Sequence, residues 1–119
     1  MDKDITIDEI KKVVQQFCED RDWDQFHNPK ELAIGISTEA NELLQLFRFK
    51  SEEDMNRLMN SDRKTEVEEE LADIFYFVLR FAQMNNIDLS AAVKKKIDKN
   101  NTKYPVDKVK GCNKKYNEY

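Results

Sequence analysis

The chain is poor in the residues that break helices or staple small domains. Two glycines and two prolines among 119 residues leave little for the tight turns that sheets require. Two cysteines, Cys18 and Cys112, match no metal-ligand spacing and are too few for a disulfide framework. Cys18, beside Phe17, reads as a small core residue. A single histidine, His27, argues against a ferritin-like di-iron centre, which takes Glu-x-x-His from two helices. No apolar run approaches the ~20 residues that span a bilayer. The start, MDKDITIDEI, is acidic and has no apolar signal-peptide core. The expectation is a cytoplasmic protein without a membrane partner.

What is present is charge and helix-forming residues. Apolar residues make up 39% and charged residues 37%, a balance with which Lys, Glu, Leu and Ala favour an all-α chain. The net charge of −4 hides an asymmetry: residues 1–87 hold 11 Lys/Arg against 20 Asp/Glu, and residues 88–119 hold 9 against 4. An acidic body with a basic end suits a cation in one part and an anion in the other. It suits a nucleic acid polymer poorly, because duplex binding needs clustered positive charge.

Four helices are expected in one domain spanning 1–119. The first covers about 7–20, capped by Thr6 with Glu9 and striped by Ile10, Val13, Val14 and Phe17. Arg21–Asn28 (RDWDQFHN) reads as a loop. Asn28 then caps a second helix, about 29–47, with Pro29 in its first turn. Ser51–Met59 reads as one or two turns capped by Ser51. A third helix is expected at about 62–86 and a fourth at about 89–100, ended by Tyr104-Pro105. The tail 106–119 is basic and expected to be extended.

The informative feature is where acids fall on the second and third helices. At about 100° per residue, with Glu70 at zero, Val67, Ile74, Phe77, Val78 and Phe81 lie roughly between −20° and +80°. Glu66 and Asp73 lie near roughly −40° and −60° on the same scale. The second helix repeats this: Glu39 sits among Leu32, Ile36, Leu43 and Leu46, with Glu42 beside it. Two helices thus carry an acid pair spaced i, i+3 on the face that seeks burial. One like-charged pair about 4 Å apart repels by about 4 kcal/mol even at an effective dielectric of ~20. Such groups either take up protons or share a cation, and hard oxygen donors suit Mg²⁺. Glu68 falls on the far side and reads as solvated; Glu66 and Glu69 are left between a solvated role and a second-sphere or second-metal contact. The far side of the third helix is apolar too (Phe75, Leu79, Ala82), which points to a homo-oligomer formed through it.

Groups suited to a planar anion flank the acid pairs. Trp23, Phe26 and His27 precede the second helix, and Phe49 and Lys50 follow it. Trp23 and Phe49 are open to two readings, stacking on a base or plugging the ends of the bundle. Lys96 and Asn100, one turn apart, flank the apolar line Leu89, Val93, Ile97 and could face a phosphate; Lys94, Lys95 and Lys99 read as solvated.

Taken together, TEANEL (Thr38–Leu43) and EELADI (Glu69–Ile74) resemble the ExxE…ExxD signature of the all-α nucleoside triphosphate pyrophosphohydrolases, the MazG-like group. RDWDQFHNPKEL (Arg21–Leu32), KIDKNNTKYP (Lys96–Pro105) and KYNEY at the end resemble its dCTP pyrophosphatase branch. The resemblance implies a four-helix bundle-like subunit in a homodimer or homotetramer. It implies Mg²⁺-dependent cleavage of a (deoxy)nucleoside triphosphate, dCTP or a relative, to monophosphate and pyrophosphate. By position, Glu39, Glu42, Glu70 and Asp73 would be the Mg²⁺ ligands, with Glu39 also a candidate general base. Trp23, His27, Phe49, Phe77, Lys96 and Asn100 would contact the nucleotide. Phe49 stands where a Trp is common, and Val14 and Phe77 stand where that branch has a His and a Tyr that touch substrate. The competing reading is a non-catalytic helical module that keeps a metal site for stability.

Overall fold

A computed structural model describes residues 1–118. Among these, six α-helices and two short 3₁₀ turns account for the regular structure, with no strand. The chain divides into two compact units, Met1–Asn86 and Ile87–Tyr119.

The first unit holds α1 (Ile7–Asp20), α2 (Pro29–Phe47), α3 (Glu52–Met59) and α4 (Lys64–Met84). Caps written into the sequence start three of them. Thr6 accepts from the Glu9 amide, Asn28 from the Glu31 amide, and Ser51 from the Asp54 amide, with Asp54 returning the bond to Ser51. α4 starts two residues later than its sequence suggests. The Ser61 hydroxyl donates to the Leu58 carbonyl at the end of α3, 2.8 Å away, and accepts from the Arg63 amide at 3.2 Å; Arg63 itself opens α4 with no side-chain cap. Asn85 closes it, donating to the Phe81 carbonyl, and Asn86 turns the chain with φ 53°.

α4 is the axis of this unit and packs against α1, α2 and α3. Leu79 and Ala82 are buried along it, with Val67 at its start. Leu32 of α2, Val14 and Cys18 of α1 and Leu58 of α3 complete the apolar core among the described residues. Cys18 is fully buried, as its neighbourhood in the sequence suggests, and neither cysteine is in a disulfide. Val13 is 62% exposed, so the stripe of α1 is narrower than its sequence implies.

Not all of α4 is covered. Leu71 and Phe75 stay exposed and, with Ala72, Ile74 and Val78, line an open groove of about 1100 Å³. Buried and exposed apolar residues therefore alternate around this helix.

The second unit holds α5 (Leu89–Lys103) and α6 (Val106–Val109), then a 3₁₀ turn at Tyr116–Glu118. Asp88 caps α5 by accepting from the Ala91 amide. α5 runs three residues past the expected Asn100 and stops against Tyr104-Pro105, where proline disfavours helix in the residue before it. The tail is not simply extended: Pro105 opens a single helical turn, and Gly111 sits at φ 79°. Its last residue lies outside the described residues. No helix among those described is long and apolar enough to cross a membrane.

Candidate active site

α2 and α4 run antiparallel: Gly35 faces Phe77, and further along Glu39 and Glu42 face Glu70 and Asp73. The i, i+3 spacing stacks each acid pair on one face, and the two faces meet. One carboxylate oxygen from each of Glu39, Glu42, Glu70 and Asp73 lies within 4.8 Å of the others. Glu39 and Glu70 are half-buried; Glu42 and Asp73 are exposed at the rim.

The electrostatics follow from that crowding. Burial first, then a hydrogen bond with Glu42 and the charges of Glu42, Asp73 and Glu70, push the Glu39 carboxyl from 4.5 up to about 7. Glu70 is raised by burial and by Glu42 in the same way. The Oε2 atoms of Glu39 and Glu70 are shut from solvent without a hydrogen-bond partner. Ionised carboxylates only accept, so four together hold no donor among themselves. A shared proton or a cation supplies what is missing. The donor set is all oxygen, which fits a hard divalent ion such as Mg²⁺.

Of the other acids of α4, Glu69 adds its charge to those that raise the Glu70 carboxyl. Glu66 pairs with Arg63, whose Nε lies 2.7 Å from its carboxylate, and Glu68 and Glu69 are exposed.

Phe77 sits one turn beyond Asp73. Its ring lies against the α2 backbone at Gly35 and meets Tyr76 edge-on, with centroids 5.0 Å apart. Tyr76 itself turns to Cys18, its hydroxyl 3.1 Å from the thiol; burial and that contact raise its pKa.

A second cluster forms at the other end of α2. Trp23 packs edge-on to Phe17 (centroids 5.6 Å apart) and stands near His27 (6.1 Å). Beneath them lies a residue the sequence reading passed over. Arg80 is 1% exposed, and each guanidinium nitrogen has a partner: Nε donates to His27 Nδ1 at 2.9 Å, Nη1 to Gln83 at 2.6 Å, and Nη2 to Asp24. Burial first, then the Arg80 charge, lower the His27 pKa, while Asp24 opposes them. The signal was present in the sequence, since Arg80 is the single charge between Asp73 and Asp88 and lies one heptad beyond Asp73.

Trp23 and Phe49 do not form a sandwich within one chain. His27 precedes α2 and Phe49 follows it, so its 19 residues put about 28 Å of helix between them. Phe49 does not plug the bundle either: it is 90% exposed. Its φ of 61° is rare for a bulky residue. Lys96 and Asn100 lie one turn apart on α5, in the second unit, with Lys96 exposed and Asn100 half-buried.

The chain is 34% identical over 114 residues to dCTP pyrophosphatase 1 of Bos taurus, covering 95% of this chain and 68% of that one. It is 32% identical over the same length to dCTP pyrophosphatase 1 of Homo sapiens, covering 95% and 67%. A pyrophosphatase structure from Archaeoglobus fulgidus DSM 4304 superposes with a TM-score of 0.78 at 37% identity, covering 83% of this chain and 92% of that one. The MazG-like family model matches residues 34–119, a span that begins just before the first acid pair and takes in the second. The chain belongs to the MazG-like family.

Proposed function

We propose that the chain is a Mg²⁺-dependent nucleoside triphosphate pyrophosphohydrolase that cleaves a deoxynucleotide, dCTP or a close relative, to monophosphate and pyrophosphate. It is a hydrolase acting on phosphoric anhydrides, of the nucleoside triphosphate diphosphatase class. The observation that carries this is the convergence of Glu39, Glu42, Glu70 and Asp73, with buried oxygens of Glu39 and Glu70 left without a donor. Membership of the MazG-like family and similarity to dCTP pyrophosphatases support it.

Glu39, Glu42, Glu70 and Asp73 would hold Mg²⁺, which when bound neutralises charge developing on phosphate oxygens. Glu39 is the general base. It lies at the meeting of the two acid pairs and takes the proton from the attacking water. The water oxygen bonds to the α-phosphorus, the bond to the bridging oxygen breaks, and pyrophosphate leaves. Lys96 offsets the charge on the departing pyrophosphate, and Asn100 holds phosphate or sugar. Trp23 stacks on the base, His27 meets its edge, and Phe77 closes the space between base and carboxylates.

The protein acts as a homodimer or homotetramer in contact through α4. Leu71 and Phe75, exposed beside an apolar groove, are the surface a second copy covers. Because about 28 Å of α2 lies between His27 and Phe49, Phe49 reaches a base only on the neighbouring copy.

The test is a panel of nucleoside and deoxynucleoside triphosphates incubated with the full chain and Mg²⁺, followed by ³¹P NMR. Equimolar monophosphate and pyrophosphate are expected, fastest with dCTP. No pyrophosphate from any nucleotide, with metal bound, would instead favour a non-catalytic metal-stabilised oligomerisation module.

A further inference from the structure

Arg80 stands outside everything assigned so far, and its contact with His27 carries specific chemical information. A guanidinium stays protonated at any ordinary pH and has no acceptor. In the 2.9 Å contact between Arg80 Nε and His27 Nδ1, the arginine therefore donates and Nδ1 accepts. An imidazole nitrogen that accepts carries no proton, so a neutral ring has its proton on Nε2.

We propose that Arg80 is a positioning residue that fixes His27 as the Nε2–H tautomer, so that the chain meets the edge of a nucleobase with a hydrogen-bond donor. This deepens the reading of the chain as a nucleotide pyrophosphohydrolase and rests on it.

Four further observations bear on it. Arg80 is held from all sides, since Asp24 and Gln83 take its two Nη atoms, so it cannot swing away from His27 without breaking an ion pair. Asp24 and His27 lie on the same short loop, whose 3₁₀ turn, Asp24–Phe26, ends beside the histidine. The buried guanidinium thus pins the loop as well as the ring. The charged groups facing the imidazole are Arg80 and Asp24, and the balance of burial and Arg80 against Asp24 lowers its pKa, which keeps the ring neutral. No described residue takes up Nε2, which points the other way from Nδ1.

The spacing matches a nucleotide. Seven residues of α4 separate Asp73 from Arg80, about 10 Å along the axis, comparable to the reach from a polyphosphate to its base. With the phosphates at the carboxylates, the base falls near Trp23 and His27. An N–H there favours a base edge with a carbonyl oxygen or unprotonated ring nitrogen and disfavours one with an N–H at the same place.

His27 is the one histidine in the sequence, so an untagged, ¹⁵N-labelled full chain gives one imidazole in a two-bond ¹H–¹⁵N correlation spectrum. The expected wild-type spectrum at neutral pH shows Nε2 protonated and Nδ1 bare. In Arg80→Met, which is close in length and apolar, Nδ1 should become partly protonated. KM for the favoured nucleotide should then rise about tenfold with kcat within about twofold, the pattern of lost binding rather than lost chemistry. Arg80→Lys keeps the charge without the planar fork, and should shift the tautomer similarly. A protonated Nδ1 in the wild type overturns the proposal even if no variant folds. So does an unchanged tautomer in Arg80→Met, or a fall in kcat at constant KM. If the wild type hydrolyses no nucleotide, the functional reading fails and the base-facing role with it, while the tautomer is still decided by the spectrum.

Discussion

The ring of Phe77 occupies the space a side chain on Gly35 would need: a Cβ built there stands 2.5 Å from Cε1 and 2.6 Å from Cδ1 of the ring. Gly35 lies inside α2, where glycine costs about 1 kcal/mol relative to alanine. Overpacking costs about 1–3 kcal/mol, and the ring is hemmed in by Tyr76. Gly35→Ala is therefore expected to lose about 1 kcal/mol net by urea denaturation. In a Phe77→Leu background the sign should reverse, because the clash goes and the helix gain remains. A stabilising Gly35→Ala in the wild type would show that the ring moves freely.

The acid cluster makes the metal-free protein sensitive to pH in an unusual direction. The Glu39 carboxyl is raised from 4.5 to about 7 in the folded chain, so the folded state binds the proton more tightly than the unfolded state. Its contribution to stability is fully present below about 4.5 and is lost as pH rises through about 7. With EDTA present, the urea midpoint should fall between pH 5 and pH 7.5. Added Mg²⁺ should restore it at the higher pH and release protons on binding. The lowered His27 pKa acts in the opposite sense over this interval, so the comparison is with Glu39→Gln: a pH dependence unchanged by that substitution would contradict the crowding.

Phe49 holds a left-handed backbone conformation, φ 61°, that costs a residue with Cβ about 1–2 kcal/mol. The Arg48 guanidinium over its ring, 4.7 Å from the centroid, returns about 0.5 kcal/mol at an exposed site. Phe49→Gly, after the extra chain entropy of glycine, should leave the protein unchanged or up to about 0.5 kcal/mol more stable. Nucleotide KM should rise at constant kcat. Reduced stability with unchanged kinetics would mark the residue as packing alone.

Lys96 and Lys94 are both exposed on α5, and only Lys96 is assigned to the leaving pyrophosphate. Lys96→Ala should lower kcat/KM about tenfold or more relative to Lys94→Ala. Equal effects in steady-state kinetics would remove the assignment.

How much of this was legible in the sequence depended on whether the cause was local. The caps at Thr6, Asn28 and Ser51 were readable because each acts three residues away. The acid pairs were readable because helical geometry alone stacks them, and only the pairing of α2 with α4 had to be supplied by the fold. The burial of Arg80 is set by Asp24 and His27, more than fifty residues earlier, and its one local sign is a lone charge between Asp73 and Asp88. The clash that makes Gly35 necessary is likewise set by a residue on another helix. The turn at Val106–Val109 was missed in a tail whose basic composition suggested an extended chain.

The most direct measurement is Mn²⁺ binding, followed by the loss of the free-ion signal in electron paramagnetic resonance. Mn²⁺ takes the same oxygen ligands as Mg²⁺. The wild-type chain should show saturable binding that Mg²⁺ displaces, and Glu70→Gln and Asp73→Asn should each weaken it by at least about tenfold. Absence of binding by the wild type, or undiminished binding by both variants, would contradict a metal centre at these four carboxylates.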